Sequence, residues 1–346
     1  MSSPVSLIPL TDTEECAERL LEAAETLGFV YITLEGSNIP PEKVERMFEI
    51  SKRVFASPKE EKAKCHISPD NKGWSSMHTE ILDPEHQRRG DFKDNSWANR
   101  AFNFGEFKDG KAQQPLPPAL QDHELELNEF SDYCYNLCLK LLRLFGMALK
   151  IDEAEGGKDW FTSRHSRSEG PSGSTLRLLF YPSLGAHPDF DPKLDTQAGA
   201  HSDYGSYLQA PVLTLNPSIT LLFQRPSEPG LEILHPHLKT WHPVPVIPNA
   251  ILVNIGDLLS YWTAGLLLST VHRVVSPDYG TEGPKDRYSM AFFCHPAHPT
   301  LLTPVPSELI KSRGGRGAND AERTLTSLDH LKSRLSSTYG WKSEQA

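Results

Sequence analysis

"RYSMAFF", residues 287–293, alternates a cation and a hydroxyl with large side chains. In an extended chain, successive side chains point to opposite faces. Arg287 and Ser289 therefore share one face, and Tyr288 and Met290 share the other. The run reads as a strand that buries a charge on one side. A buried guanidinium without an anionic partner is strongly unfavourable. Two partners meet the need: an internal Asp or Glu, or a carboxylate ligand gripped by the guanidinium fork with a hydroxyl beside it.

The strand has company. "TLRLLFY" (175–181), "ITLLF" (219–223), "LEIL" (231–234), "AILVNIG" (250–256) and "TVHRVV" (270–275) are short β-rich runs, with turns such as "RPSEPG" (225–230) and "VIPNA" (246–250) between them. Repeated short strands with Pro- and Gly-containing turns predict a sandwich or barrel, a double-sheet jelly roll among the options.

Upstream, the period changes. "TDTEECAERLLEAAETLGF" (11–29) predicts an amphipathic helix capped by Thr11 or Asp12 and ended by Gly28. "FVYITL" (29–34) is strand-like, and "PPEKVERMFEISKRVFAS" (40–57) is a helix opening on prolines. A loop-rich stretch from about 79 to 118 includes the strand-like "RAFNFGEF" (100–107). Phe130, Cys134, Leu137, Leu141, Leu144 and Ala148 then fall at three- and four-residue spacing, the stripe of a long core helix. "TSLDHLKSRLSSTYG" (326–340) predicts a short closing helix. The organisation expected is an N-terminal helix-and-strand region over 1–120 packed on a second region over 121–346. The β core of the latter runs from about 174 to 300.

The 346 residues are 38% apolar and 23% charged, as in a soluble globular protein. A net charge of −10 argues against nucleic acid or an anionic membrane surface as main partner. No run approaches the roughly 18 apolar residues of a membrane span, and the N-terminus has no secretory pattern. The five cysteines are scattered and odd in number, which fits buried thiols in a reducing cytoplasm.

Among fourteen histidines, four arrangements put a histidine two residues from an acid or another histidine. "HTE" (His78, Glu80) sits in the loop-rich stretch, "HPD" (His187, Asp189) in a proline-rich connection, and "HPH" (His235, His237) at a turn without a carboxylate. "HSDYGS" differs, because His201 and Asp203 stand at the threshold of a strand and can converge on one point. Such a pair holds either a metal or simply one another. His272, inside the apolar run "STVHRVVSP", needs a partner as well, either a ligand or a main-chain carbonyl. Together, H-x-D, a distant His and R-x-S are more specific than any one of them. Two histidines and a carboxylate make the facial triad of non-haem Fe(II) oxygenases. Three protein ligands leave an octahedral iron three positions, two for a 2-oxo acid and one for O2. The acid's far carboxylate then requires a cation away from the metal.

With these motifs in hand, the chain resembles the isopenicillin N synthase-like branch of the 2-oxoglutarate/Fe(II)-dependent dioxygenases. "LRLLFYPS", "AGAHSDYGS", "ITLLFQ", "LEILHP", "ILVNIGDLLSYWTAG", "STVHRVVSP" and "DRYSMAFF" occur in that family's order, after "SLIPL", "LGFVYI" and "DFKDNSWANRAFNFG". The resemblance implies an α+β fold: a double-stranded β-helix, or jelly roll, flanked by helices mainly from the N-terminal half. It implies Fe(II) on His201, Asp203 and His272, with Arg287 and Ser289 on the distal carboxylate of 2-oxoglutarate and Tyr181 near this co-substrate. Leu179 stands where the family often has Asn. "YLQAPVLTLNPS" (207–218) interrupts a junction that is nearly direct in the family, as a loop at the pocket mouth or an artefact of gene prediction.

The implied reaction consumes 2-oxoglutarate and O2, with ascorbate assisting in vitro. It releases succinate and CO2 while oxidising a small organic molecule by hydroxylation, desaturation or rearrangement, in secondary metabolism. Phe180, Tyr204, Phe292 and Phe293 are the candidate substrate contacts. Three other readings compete. One is a same-fold oxidase that uses no 2-oxoglutarate and turns Arg287 to its substrate's carboxylate; another is a binding module without chemistry. The third is a structural metal site, although such sites are usually closed by four ligands, often thiolates.

Overall fold

A computed structural model describes residues 4–75, 100–183, 196–201, 217–275, 285–313 and 325–332. Twelve strands occur among them: β1 (Leu7–Ile8), β2 (Phe29–Thr33), β3 (Gly73–Ser75), β4 (Arg100–Phe104), β5 (Thr175–Tyr181), β6 (Thr196–His201), β7 (Ile219–Gln224), β8 (Leu231–Leu234), β9 (Trp241–Pro243), β10 (Ala250–Ile255), β11 (His272–Val275) and β12 (Arg287–Cys294). The main helices are α1 (Glu14–Thr26), α2 (Pro41–Ala56) and α5 (Glu124–Ala148). Shorter ones are α3 (Lys59–Ala63), α4 (Pro118–Gln121), α6 (Trp160–Arg164), α7 (Asp257–Trp262) and α8 (Glu308–Ser312). Residues 327–332 are helical where "TSLDHLKSRL" predicts a closing helix.

The strands form two sheets, one of eight in the order β1-β2-β10-β7-β12-β5-β4-β3 and one of four in the order β6-β11-β8-β9. Apart from the parallel pair β1–β2, the neighbours in both sheets run antiparallel. This is the jelly-roll core with flanking helices that the sequence implied.

The larger sheet is covered on both faces, and the pleat assigns each residue to one of two cores. Leu176, Leu178 and Phe180 of β5, with Met290, Phe292 and Cys294 of β12, join the core shared with α1, α2 and α5. Leu179, Tyr181 and Ala291, with Phe293 packed at the edge, join a second core that includes Ala198, Leu231, Ile233 and Val274 of the smaller sheet. Phe130 of α5 meets Phe223 of β7 at 5.3 Å between ring centres and is fully buried, so Phe130→Ala is expected to cost about 3–5 kcal/mol.

The cap of α1 corrects the expectation. Thr13, not Thr11 or Asp12, accepts from the N–H of Cys16 at 3.2 Å, while the Thr11 and Thr13 hydroxyls bond at 3.0 Å. The helix ends at Gly28, whose φ of +72° suits glycine and where any Cβ would lie 2.0 Å from the Leu268 carbonyl oxygen. All five cysteines are free and buried. No helix of the described residues is long and apolar enough to cross a membrane.

Candidate active site

β6 and β11 are adjacent in the smaller sheet, and their register sets His272 directly opposite His201. The ring centres are 4.3 Å apart and the planes are inclined by 57°. Each Nδ1 lies near the carbonyl two residues back, Gly199 at 2.8 Å for His201 and Thr270 at 3.0 Å for His272. A carbonyl only accepts, so each Nδ1 donates, and in the neutral ring the basic lone pair resides on Nε2. Burial holds His272 below the ordinary histidine range, which favours that neutral form. Thr270 donates its hydroxyl to the Leu27 carbonyl at 2.6 Å, and Phe29 sets its ring edge-on to His272 at 5.5 Å.

This donor set fits a transition metal. Two imidazoles bound through nitrogens at about 2.1 Å, at right angles on one ion, hold their ring centres roughly 4.5 Å apart. The expected third ligand, Asp203, lies outside the described residues, as do Tyr204, the segment 207–216, His78 and Glu80, and His187 and Asp189. Among the described residues no three His, Cys, Asp or Glu groups are placed to hold a metal.

Arg287 opens β12 opposite Tyr181 of β5; Ser289 faces Leu179 on one side and Gln224 of β7 on the other. Arg287 is only 2% exposed. Its Nε donates to the Glu228 main-chain carbonyl at 3.2 Å, one Nη to the Ser289 hydroxyl at 3.2 Å, and the other to the Gln224 side-chain oxygen at 3.1 Å. The Tyr181 ring centre is 5.0 Å from the guanidinium carbon. Gly230 admits no side chain, because a Cβ there would stand 2.7 Å from the Val275 carbonyl oxygen and 3.6 Å from Arg287 Nε.

Gln224 and Glu228 escaped the sequence reading. Gln224 ends "ITLLFQ", two residues after Leu222 and on its face, which was signal enough. Glu228 sits in what reads as a turn and gives no such sign. Its carboxylate accepts from the Tyr288 N–H and lies 3.6 Å from an Arg225 nitrogen. Burial pushes the carboxyl above its ordinary range, opposed by the Tyr288 N–H and the charges of Arg225, Lys52 and Arg287.

The candidate substrate contacts divide by parity. Phe293 lies with the inner-face core. Phe180 and Phe292 belong to the helix-side core, with Phe180 stacked on Tyr288 at 4.7 Å and on Phe55 at 5.6 Å. They face away from the histidines and Arg287, so the expectation for these two is corrected. His235 and His237 cluster instead with His242 at the β8–β9 turn, with ring centres 6.0 and 5.5 Å from His235.

Comparison with known proteins matches residues 4–119 to the N-terminal model of the non-haem dioxygenases of morphine synthesis. Residues 173–296 match the 2OG-Fe(II) oxygenase superfamily, a span that holds both histidines, Arg287 and Ser289. The UPF0676 protein of Schizosaccharomyces pombe is 36% identical over 337 residues, 95% of this chain and 90% of its own length. The 2-oxoglutarate-dependent dioxygenase traH of Penicillium crustosum is 27% identical over 289 residues, 80% of this chain and 77% of its own. Among solved structures, a full-length Neurospora crassa protein in complex with alpha-KG and thymine aligns with a TM-score of 0.72 at 28% identity, covering 96% of each chain.

Proposed function

The chain belongs to the 2OG-Fe(II) oxygenase superfamily, and on that premise we propose that its inner face oxidises a small organic molecule, with His201, Asp203 and His272 holding Fe(II) and Arg287 holding 2-oxoglutarate. The protein is a 2-oxoglutarate/Fe(II)-dependent dioxygenase. When bound, the iron supplies the oxidative chemistry, in which 2-oxoglutarate and O2 become succinate and CO2 as the substrate is oxidised. The protein's own contribution is placement and exclusion of water.

Each residue has a distinct part. The Nδ1–carbonyl bonds of His201 and His272 fix their tautomers, so that Nε2 is presented without a proton to lose. Arg287 offers a rigid two-pronged grip for the distal carboxylate, with the Ser289 hydroxyl 3.2 Å from its Nη as an added donor. Gln224, Glu228 and the Tyr181 ring steady the guanidinium. The observation that carries the reading is the in-register histidine pair on a sheet that packs its core against the face bearing a buried arginine. A substrate of secondary metabolism fits the N-terminal match, whose description names morphine synthesis, and a cytoplasmic setting fits the free buried thiols.

The test is a metabolite panel with Fe(II) and ascorbate, scored by substrate-stimulated succinate release. One succinate per oxidised substrate is expected. Oxygen uptake with no succinate, on a substrate bearing its own carboxylate, would favour the same-fold oxidase.

A further inference from the structure

Among the groups that steady Arg287, Glu228 also carries a carboxylate that the reaction as described does not use. It ties the loop between β7 and β8 to β12 in two ways. Its main-chain carbonyl accepts from Arg287 Nε at 3.2 Å, and its carboxylate accepts from the Tyr288 N–H. The carboxylate pairs with Arg225 of its own loop at 3.6 Å, and the charges of Lys52 of α2 and, more weakly, Arg287 of β12 also act on it. Arg225 is shared with Glu45 of α2 at 3.3 Å. Glu228 is 7% exposed and Arg287 2%. A buried acid is costly alone, so Glu228 draws on Arg225, Lys52 and Arg287 together.

We propose that Glu228 is a positioning residue that places a negative charge beside Arg287 and so sets how tightly the site takes 2-oxoglutarate. The inference rests on the reading of Arg287 as the clamp for the distal carboxylate. When that carboxylate docks, it and Glu228 share one guanidinium, and their mutual repulsion offsets part of the attraction. Succinate keeps the same distal carboxylate after the reaction. The repulsion therefore hastens its departure, at the cost of an equally loosened hold on the oxo acid.

Glu228→Gln keeps the shape and an oxygen for the Tyr288 N–H but removes the charge. Glu228→Ala removes both. The measurement is calorimetric titration of 2-oxoglutarate into the Fe(II)-loaded protein without O2. The Gln variant is expected to bind roughly three- to tenfold more tightly than wild type, the scale of one partly screened charge a few ångströms away. The Ala variant should bind more weakly, because the Tyr288 N–H is left buried without its acceptor and the loop loosens around Arg287. Burial holds the Glu228 carboxyl above its ordinary range, so falling pH discharges it sooner than an exposed glutamate while Arg287 stays charged. Wild-type affinity should therefore gain on that of the Gln variant as the pH is lowered. A Gln variant that loses affinity as the Ala variant does, or one that matches wild type at every pH, overturns the role of that charge. A wild type that takes up no 2-oxoglutarate overturns the reading of Arg287 itself, and this proposal with it.

Discussion

Strand β12 joins two buried polar regions that could hardly differ more. At its start, Arg287 is charged and is held by a carbonyl, a hydroxyl and an amide oxygen, with a carboxylate nearby. Just past its end, roughly 26 Å away at the rise of a strand, His295 is 1% exposed and neither ring nitrogen has a hydrogen-bond partner among the described residues. His165, His298 and His330 lie close enough to act on it. His165 bonds the Phe161 carbonyl at 2.7 Å and the Ser218 hydroxyl at 2.8 Å. The strap at 325–332 closes over this end, with Ser327 donating to the Pro296 carbonyl at 3.3 Å and the Leu328 N–H to that of His298 at 3.2 Å. The difference lies in how each group survives burial. A histidine can release its proton and be buried neutral, whereas a guanidinium cannot and must be given company. Buried polarity alone therefore marks no site. Retained charge beside a place for an anion does.

The sharpest break concerns the chemistry end. His201→Ala or His272→Ala should lower substrate-dependent succinate release by on the order of a thousandfold or more, beyond the 10–100-fold typical of losing a ligand's hydrogen-bonding partner. The fold should persist, because the main cores lie elsewhere; iron content and melting temperature report the two effects separately. Turnover at the wild-type rate in either metal-checked variant removes that histidine from the ligand set. Next in size is Arg287→Lys, which keeps the charge but loses the two-pronged geometry. It should raise the KM for 2-oxoglutarate roughly 10–100-fold, the loss of about 1.5–3 kcal/mol from a charge-assisted bond, with iron affinity little changed. His295→Leu should leave that KM within about twofold. If it moves the KM as far as Arg287→Lys does, the two ends are coupled and the contrast fails.

Acid should act on the opposite end. Burial, with smaller contributions from neighbouring histidines for His295 and from Arg164 for His165, pushes His295 down to about 3 and His165 down to about 4. An unfolded histidine titrates near 6.5, so both groups gain protons on unfolding once the pH drops below that value. Their stabilisation is complete above about pH 6.5 and declines as the pH falls towards 4, by on the order of 1 kcal/mol per pH unit for each. Urea unfolding between about pH 7 and 5 would show the slope. The smallest expected effect is that of His295→Leu at neutral pH, where losing two buried nitrogens without partners is neutral or stabilising by about 1 kcal/mol. Its acid slope should be shallower than wild type, and an unchanged slope would remove His295 from the account.

Much of this was legible in the residues. Six β-rich runs became β5, β7, β8, β10, β11 and β12, because β-branched and aromatic residues between Pro and Gly turns leave little alternative. His201 and His272 were found separately in sequence, and the register of β6 and β11 makes them neighbours. Parity explains the substrate contacts that failed. Once Tyr181 shares a face with Arg287, Phe180 must point the other way, and Phe292 likewise stands an odd number of residues from Arg287. Thr13 displaced Thr11 and Asp12 as the cap because the helix begins at Glu14, one or two residues later than its composition suggests. Glu228 was beyond reach, since nothing local distinguishes a solvated turn acid from one folded back onto a neighbouring strand.

The alternation along β12 also constrains how such a chain can change over generations. Single substitutions at Met290 or Phe292 disturb only the packing against the helices and can be repaired by a neighbour of complementary size. Loss or gain of one residue between Arg287 and Cys294 is another matter. It puts the two parts of the strand out of phase, sending either aromatic bulk into the inner core or the polar start towards the helices. No compensating point change restores that. Length variation in descendants of this sequence is expected to collect in the turns and to spare this eight-residue segment, which behaves as a reading frame.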